Sequence, residues 1–233
     1  MVIAGSPSTA HGAVWRGVTV GLSAVRRRSL TVEKKPTPKK PTPKKPTPKK
    51  EHAVDVLDDL LDHDLRLVVV GTAVGDCAAR RGHYYAGPGQ SFWTLLARAG
   101  LTPRVLPPPD DATLVEHGIG LTDLVKIEAQ SHGRQLVFDV PSLAAKLSEH
   151  RPRWVAFNGK VAATHCARWA GHRPPGLGLQ DWTFAGAPVF VLPSSSGANR
   201  RRDYDGRPDR ESWWEDLGTL VRKEDQPTQA TSA

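Results

Sequence analysis

Two rhythms of hydrophobic and polar positions alternate along the middle of the chain. The first is the short unbroken apolar run: Leu67-Val68-Val69-Val70, Trp154-Val155-Ala156-Phe157 and Val189-Phe190-Val191-Leu192. Runs of this length, rich in β-branched residues and bounded by glycine or polar positions, predict strands buried on both faces of a parallel sheet. Residues 118–125 predict a further strand, and Trp182-Thr183-Phe184 predicts the strand before the last. The second rhythm places apolar residues at helical spacing over 53–63, 91–99, 141–150, 161–170 and 211–221. The first of these helices carries an acidic outer face, and the second stops at Gly100. The third has Pro141 in its first turn, and the last turns Trp213, Trp214, Leu217 and Leu220 inward. Pro107-Pro108-Pro109 breaks the chain ahead of one short helix over 111–117. Strands alternating with helices predict an α/β fold, three α/β/α layers about a central, mostly parallel sheet of four or five strands.

This patterning is confined to residues 51–223, which predicts one folded domain. Residues 34–50 instead repeat Lys-Lys-Pro-Thr-Pro three times. Proline keeps such a segment extended, its lysines repel one another, and nothing in it can bury a core. Residues 1–50 are therefore expected to form a disordered basic tail, and residues 224–233 a disordered C-terminus. Charge sharpens the division. The whole chain carries a formal charge of +8, yet residues 1–50 hold twelve Lys/Arg against one acidic residue, and the remainder is net negative. The folded part must then meet a polyanion through local patches, while the tail grips phosphates without reading sequence.

Composition narrows the chemistry. Cys77 and Cys166 are the only cysteines. Two thiols cannot ligate a four-cysteine iron–sulfur cluster or build a disulfide framework, so a reducing cytoplasm is the expected location. No apolar run reaches membrane-spanning length, and no membrane partner is expected. His83, His132, His165 and His172 are scattered without zinc-ligand spacing. No metal or cofactor is expected.

The stretch richest in candidate chemistry follows the first strand. Leu67-Val68-Val69-Val70 ends at Gly71-Thr72-Ala73-Val74-Gly75-Asp76, small residues that let a ligand approach the backbone at a strand's carboxyl end. Tyr84-Tyr85, a Gly87-Pro88-Gly89 turn and Phe92-Trp93 come next. Near the other end of the domain, Val191-Leu192-Pro193 leads into Ser194-Ser195-Ser196-Gly197-Ala198-Asn199-Arg200, and between them lies Phe157-Asn158-Gly159-Lys160.

Taken together, these three stretches resemble the mismatch-specific uracil/thymine DNA glycosylases, within the uracil-DNA glycosylase superfamily. The first family motif reads G-I-N-P-G, with an aromatic, a proline and F-W at fixed distances; Gly71, Gly75, Tyr85, Pro88, Phe92 and Trp93 fall at matching intervals. Phe157-Asn158-Gly159-Lys160 matches the family's F-N-G-K strand end. Residues 191–200 are similar to V-L-P-N-P-S-G-L-S-R. The resemblance covers roughly residues 65–221 and implies the family's fold and base-excision chemistry. It departs at Ala73, which stands where the family has its catalytic Asn.

A glycosylase must flip its target nucleotide before attacking the glycosidic bond. The resemblance and the residues together assign four tasks. For activating water, a carboxylate must replace the missing Asn, and Asp76 and Asp123 are the candidates. Asp76 could instead cap the following helix, and Asp123 could cap a helix or pair with Lys126. Ala73, Tyr85, Asp123 and Asn158 are the expected base-side residues: Tyr85 stacks on the flipped ring, Asp123 accepts from a ring N–H, and Asn158 also suits the Asn-Gly turn. Ser194, Ser195, Ser196 and Gly197 are expected to approach phosphates, and Ala198, Asn199 and Arg200 to enter the duplex as the base leaves. The expected activity is that of a monofunctional, monomeric DNA glycosylase excising uracil or a related deaminated or mismatched base. Its partner is damaged or mismatched duplex DNA, with single strands as the alternative. A non-catalytic lesion binder is the competing expectation, kept alive by Ala73.

Overall fold

A computed structural model describes residues 55–130 and 136–225 of the chain. The basic tail over 1–50, positions 53 and 54 of the first expected helix, His132 and residues 226–233 lie outside the described residues. Five strands form one sheet in the order β2-β1-β3-β5-β4: β1 is Leu67–Gly75, β2 Ile119–Gln130, β3 Val155–Asn158, β4 Gly178–Phe184 and β5 Ala187–Leu192. β1 pairs in parallel with β2 and β3, and β3 with β5, while β4 runs antiparallel to β5 at the edge. The helices are α1 (Asp76–Arg81), α2 (Phe92–Arg98), α3 (Val140–His150), α4 (Lys160–Trp169) and α5 (Glu211–Glu224), with a 3-10 helix over Pro108–His117.

Period-two alternation explains the three layers. In β1, Leu67 and Val69 face one way and join α2, the 3-10 helix and Trp214, Leu217 and Val221 of α5 in one core. Val68 and Val70 face the other way, against α3 and α4, in a second core with Phe157, Phe184, Val189 and Val191. The inner strands β1, β3 and β5 are therefore largely apolar on both faces, as a sheet covered on both sides requires, while edge strand β4 alternates buried and exposed positions.

Two expectations fail, each for a physical reason. The helix expected over 53–63 is not one. Residues 55–62 run extended along β2: Leu60 bridges antiparallel to Leu121, and the Val56 amide donates to the Lys126 carbonyl. Aspartate is a weak helix former, and here Asp59 is taken up by tertiary partners: Thr122 Oγ1 donates to it at 2.6 Å, Lys126 Nζ lies at 2.8 Å, and Lys146 of α3 pairs with its other oxygen. Burial opposes ionisation of Asp59, yet the bonds from Lys126, Lys146 and Thr122 prevail and hold its carboxyl below the ordinary range. The second failure concerns β1. It does not end at Gly71 but continues to Gly75, with a register shift between Ala73 and Gly75, and Asp76 is then the first residue of a short helix. At the C-terminus, Trp154 Nε1 donates to Glu224, and Asp225 pairs with Arg66 and Arg153.

Candidate active site

Three connections converge where the parallel strands end. One leads from β1 through α1 to the turn at 87–89, one is the Asn158-Gly159 turn into α4, and one follows β5 through Ser194. They enclose a cavity of about 600 Å³, within the size range of small-molecule sites. Of the residues singled out in the sequence, Ala73, Tyr85, Asp123, Asn158, Ser194, Ser195, Ser196 and Ala198 line it. Asp76, Gly197, Asn199 and Arg200 do not.

Asp123 lies within β2, in register with Gly71 of β1. It is 4% exposed, and its Oδ2 has no hydrogen-bond partner among the described residues. Its position in a strand rules out the helix-cap role, and Lys126 is engaged with Asp59 and, at 3.0 Å, with Tyr84 Oη. The carboxylate lies across Gly71 so closely that a Cβ there would fall 2.0 Å from Asp123 Oδ1. Tyr85 Oη stands 3.2 Å from the same point. Only glycine leaves room for the acid. Burial pushes the Asp123 carboxyl up to about 7; Lys126 and Lys146 pull it down, and the Asp59 charge pushes it further up. It is the one carboxylate among the residues lining the cavity.

Asp76 is the first residue of α1, half-buried, and the helix start has no side-chain cap bond; Gly75 occupies the N-cap position. Tyr85 stacks on Phe92 with ring centroids 3.8 Å apart and planes at 16°. Burial, reinforced by the Asp123 charge, raises its phenol, so it stays protonated. Its backbone has φ 52°, a left-handed conformation costly for a bulky side chain. The preceding residues are pinned: buried Asp111 accepts from the Tyr84 amide at 2.9 Å and sits 3.2 Å from His83 Nδ1. Two other scattered histidines pack on rings: His165 stacks on Phe138 and His172 on Trp182.

Asn158 is committed to the loop after β5. Its Nδ2 donates to Ser195 Oγ and its Oδ1 accepts from the Ser195 amide, both at 2.9 Å. Ser195 is 1% exposed. Its hydroxyl donates to Gln90 Oε1 at 3.3 Å, and its carbonyl accepts from the Ser91 amide and Ser91 Oγ. Gly197 meets Gly89 backbone to backbone, where a Cβ on Gly197 would lie 2.5 Å from the Gly89 carbonyl oxygen. The first and last motifs are thereby joined into one wall. Sequence reasoning passed over Gln90, Ser91, Asp59 and Asp111. Ser91 carried a signal, a serine at a helix start, but its side chain bonds across to Ser195 instead of capping α2. Among the described residues, no group of three or more His, Cys, Asp or Glu is placed to hold a metal ion.

The chain is similar to known proteins. A solution NMR structure of a candidate uracil DNA glycosylase from Methanosarcina acetivorans is 26% identical, with 73% of this chain and 98% of that chain covered and a TM-score of 0.49. The family model described as the uracil DNA glycosylase superfamily matches residues 59–218, a span that contains every wall of the cavity. The chain belongs to the uracil DNA glycosylase superfamily.

Proposed function

We propose that the protein is a monofunctional DNA glycosylase that flips a deaminated base into this cavity and holds its ring edge against Asp123. The observation that carries the reading is the buried Asp123 oxygen without a partner, at the wall of a cavity beside Tyr85. An orphaned carboxyl atom costs stability unless a ligand or a proton satisfies it. In its protonated form the carboxyl offers one donor and one acceptor. That pair complements the adjacent N–H and C=O of uracil, thymine, hypoxanthine or xanthine. When the glycosidic bond breaks, negative charge develops on the departing base, and a donor aimed at its carbonyl stabilises that charge. Ala73 cannot position water through its side chain, and Asp76 does not line the cavity, so activation of the leaving base is the chemistry these residues can supply. Tyr85, Ser194, Ser196 and the exposed Arg200 remain the proposed stacking, phosphate and duplex-entry groups, on damaged or mismatched DNA, while buried Ser195 is bonded to Asn158, Gln90 and Ser91 and serves the wall instead.

The test is single-turnover excision on duplexes carrying uracil, thymine mismatches, hypoxanthine or xanthine, followed across pH. The rate should hold below pH about 7 and fall above it, as the acid form is lost. Asp123→Ala should lose about two to three orders of magnitude, the usual effect of removing one such donor. Asp123→Asn keeps a donor and an acceptor and should excise with a flattened pH profile. A profile that instead rises through neutrality would assign Asp123 to proton abstraction. Ala73 specifically favours a second reading, a lesion binder without hydrolysis, and wild type that binds these duplexes while cutting none of them would establish it.

A further inference from the structure

The loop after β5 is held by a residue outside every motif, Arg210, immediately ahead of α5. Its guanidinium donates to three main-chain carbonyls: Nη1 to Ser194 at 3.1 Å and to Ser196 at 3.3 Å, and Nη2 to Asn199 at 3.4 Å. The other carbonyl in this serine run, that of Ser195, is taken by Ser91. Asn199 adds two bonds from within the loop, from Nδ2 to the Ser194 carbonyl and from its amide to the Ser196 carbonyl. Four carbonyls are thus turned toward the protein, while the Ser194 and Ser196 hydroxyl oxygens accept from the Ser196 and Ala198 amides. Turning carbonyls inward takes the negative ends of the peptide dipoles away from the outer face. Arg200, Arg201 and Arg202 follow directly in the chain; they are exposed and form no close ion pair among the described residues, the Arg201 charge acting on Asp205 from farther off. The neighbouring basic groups are occupied otherwise: Arg207 with Asp216 and over the Trp213 ring, Lys160 with Asp205.

We infer that Arg210 is the positioning residue of the DNA-facing loop, a brace that orders residues 194–199 with carbonyls inward before DNA arrives. It does not touch the base or the cavity. The physical gain is preorganisation: ordering several loop residues is done at folding and need not oppose binding. Lysine cannot replace it. A planar fork carries its donors on separate nitrogens and spans three separate carbonyls, whereas an ammonium offers its three donors from one atom. The inference rests on the reading of this loop as a DNA contact, but the bracing itself can be measured without DNA.

Arg210→Gln and Arg210→Lys should each be compared with wild type in the full chain. The first readout is amide hydrogen exchange of the free protein. We expect about tenfold or faster exchange at 195–200 in both variants, since tenfold corresponds to about 1.4 kcal/mol and bonds from a charged donor are lost. Amides of β1, β3 and α5 should be unchanged, and thermal melting should remain cooperative. The second readout is affinity for a duplex with a stable abasic analogue, expected to weaken about tenfold or more in both variants. Unchanged loop exchange, or full recovery of loop order and affinity by lysine, would overturn the inference, because charge alone would then suffice. Faster exchange with unchanged affinity would overturn its DNA-facing half. Should Arg210→Gln fail to fold, the milder Arg210→Lys decides on the same readouts. Wild type that excises no base, with both readouts behaving as expected, would sink the glycosylase reading and leave the brace standing.

Discussion

A carboxyl group facing an uncharged wall sets a balance between folding and chemistry at Asp123. Burial pushes its carboxyl up to about 7, from the ordinary 3.8 of an exposed aspartate. Below pH 3.8 both folded and unfolded chains carry the proton, and the group costs nothing. As pH rises toward 7 the unfolded chain releases its proton first, so stability falls through this window and then levels off. Asp123→Asn removes the penalty. We expect the variant to be more stable than wild type at pH 8, by an amount on the order of 2–4 kcal/mol, with the difference vanishing near pH 4 in denaturant melts at the two pH values. Gly71→Ala acts on the same atoms from the opposite strand. Its methyl would collide with the Asp123 carboxyl and must displace it, costing about 1–3 kcal/mol and abolishing most excision; equal activity and equal melting would show that the acid can sit elsewhere. From the sequence either Asp76 or Asp123 can replace the missing Asn, with Asp76 favoured for water and Asp123 for the base, because both lie near a strand end. What separates them is the register of β1 against β2, which sets Asp123 opposite Gly71. One-dimensional spacing does not carry that information.

At the scale of elements, the strands β3 and β5 and the helices α2 to α5 were legible because each is amphipathic or continuously apolar at its own period. The misses have separate causes. Residues 55–62 have helical spacing, but the partners of Asp59 come from β2 and α3, far along the chain. The α1 helix has only six residues, too few to show a period. The extended strap makes its own prediction. Asp59→Ala would leave Thr122, Lys126 and Lys146 without their shared acceptor at the β2 edge. We expect a loss of about 2–4 kcal/mol at pH 7. Because the Asp59 carboxyl titrates below its ordinary range, wild type loses this advantage only as the solution becomes strongly acidic. Chemical denaturation at pH 7 and near pH 3 checks both statements, and a variant as stable as wild type at pH 7 would show that the strap is decorative.

At the scale of the whole chain, charge and periodicity separated the basic segment from the domain without any structure. Residues 1–50 concentrate positive charge that the remainder, net negative, does not supply. Removing them should weaken DNA binding and flatten its salt dependence by nearly one slope unit per lost phosphate contact. Single-turnover excision at saturating protein should change little. Titrations of both proteins across salt concentrations decide this, and parallel slopes would sink the tether reading. The superfamily was legible from the three motif stretches, whereas the bracing of one motif by Arg210 was not, since nothing in a lone arginine announces the carbonyls it will meet. The contact of Gly89 with Gly197 has a use in engineering. Two loops that bound the cavity touch there through bare backbone, so every atom added at position 197 becomes a spacer between them. A graded series from Gly197→Ala to Gly197→Val would act as a set of shims, opening the rim stepwise and tuning which size of base gains entry while Asp123 stays untouched.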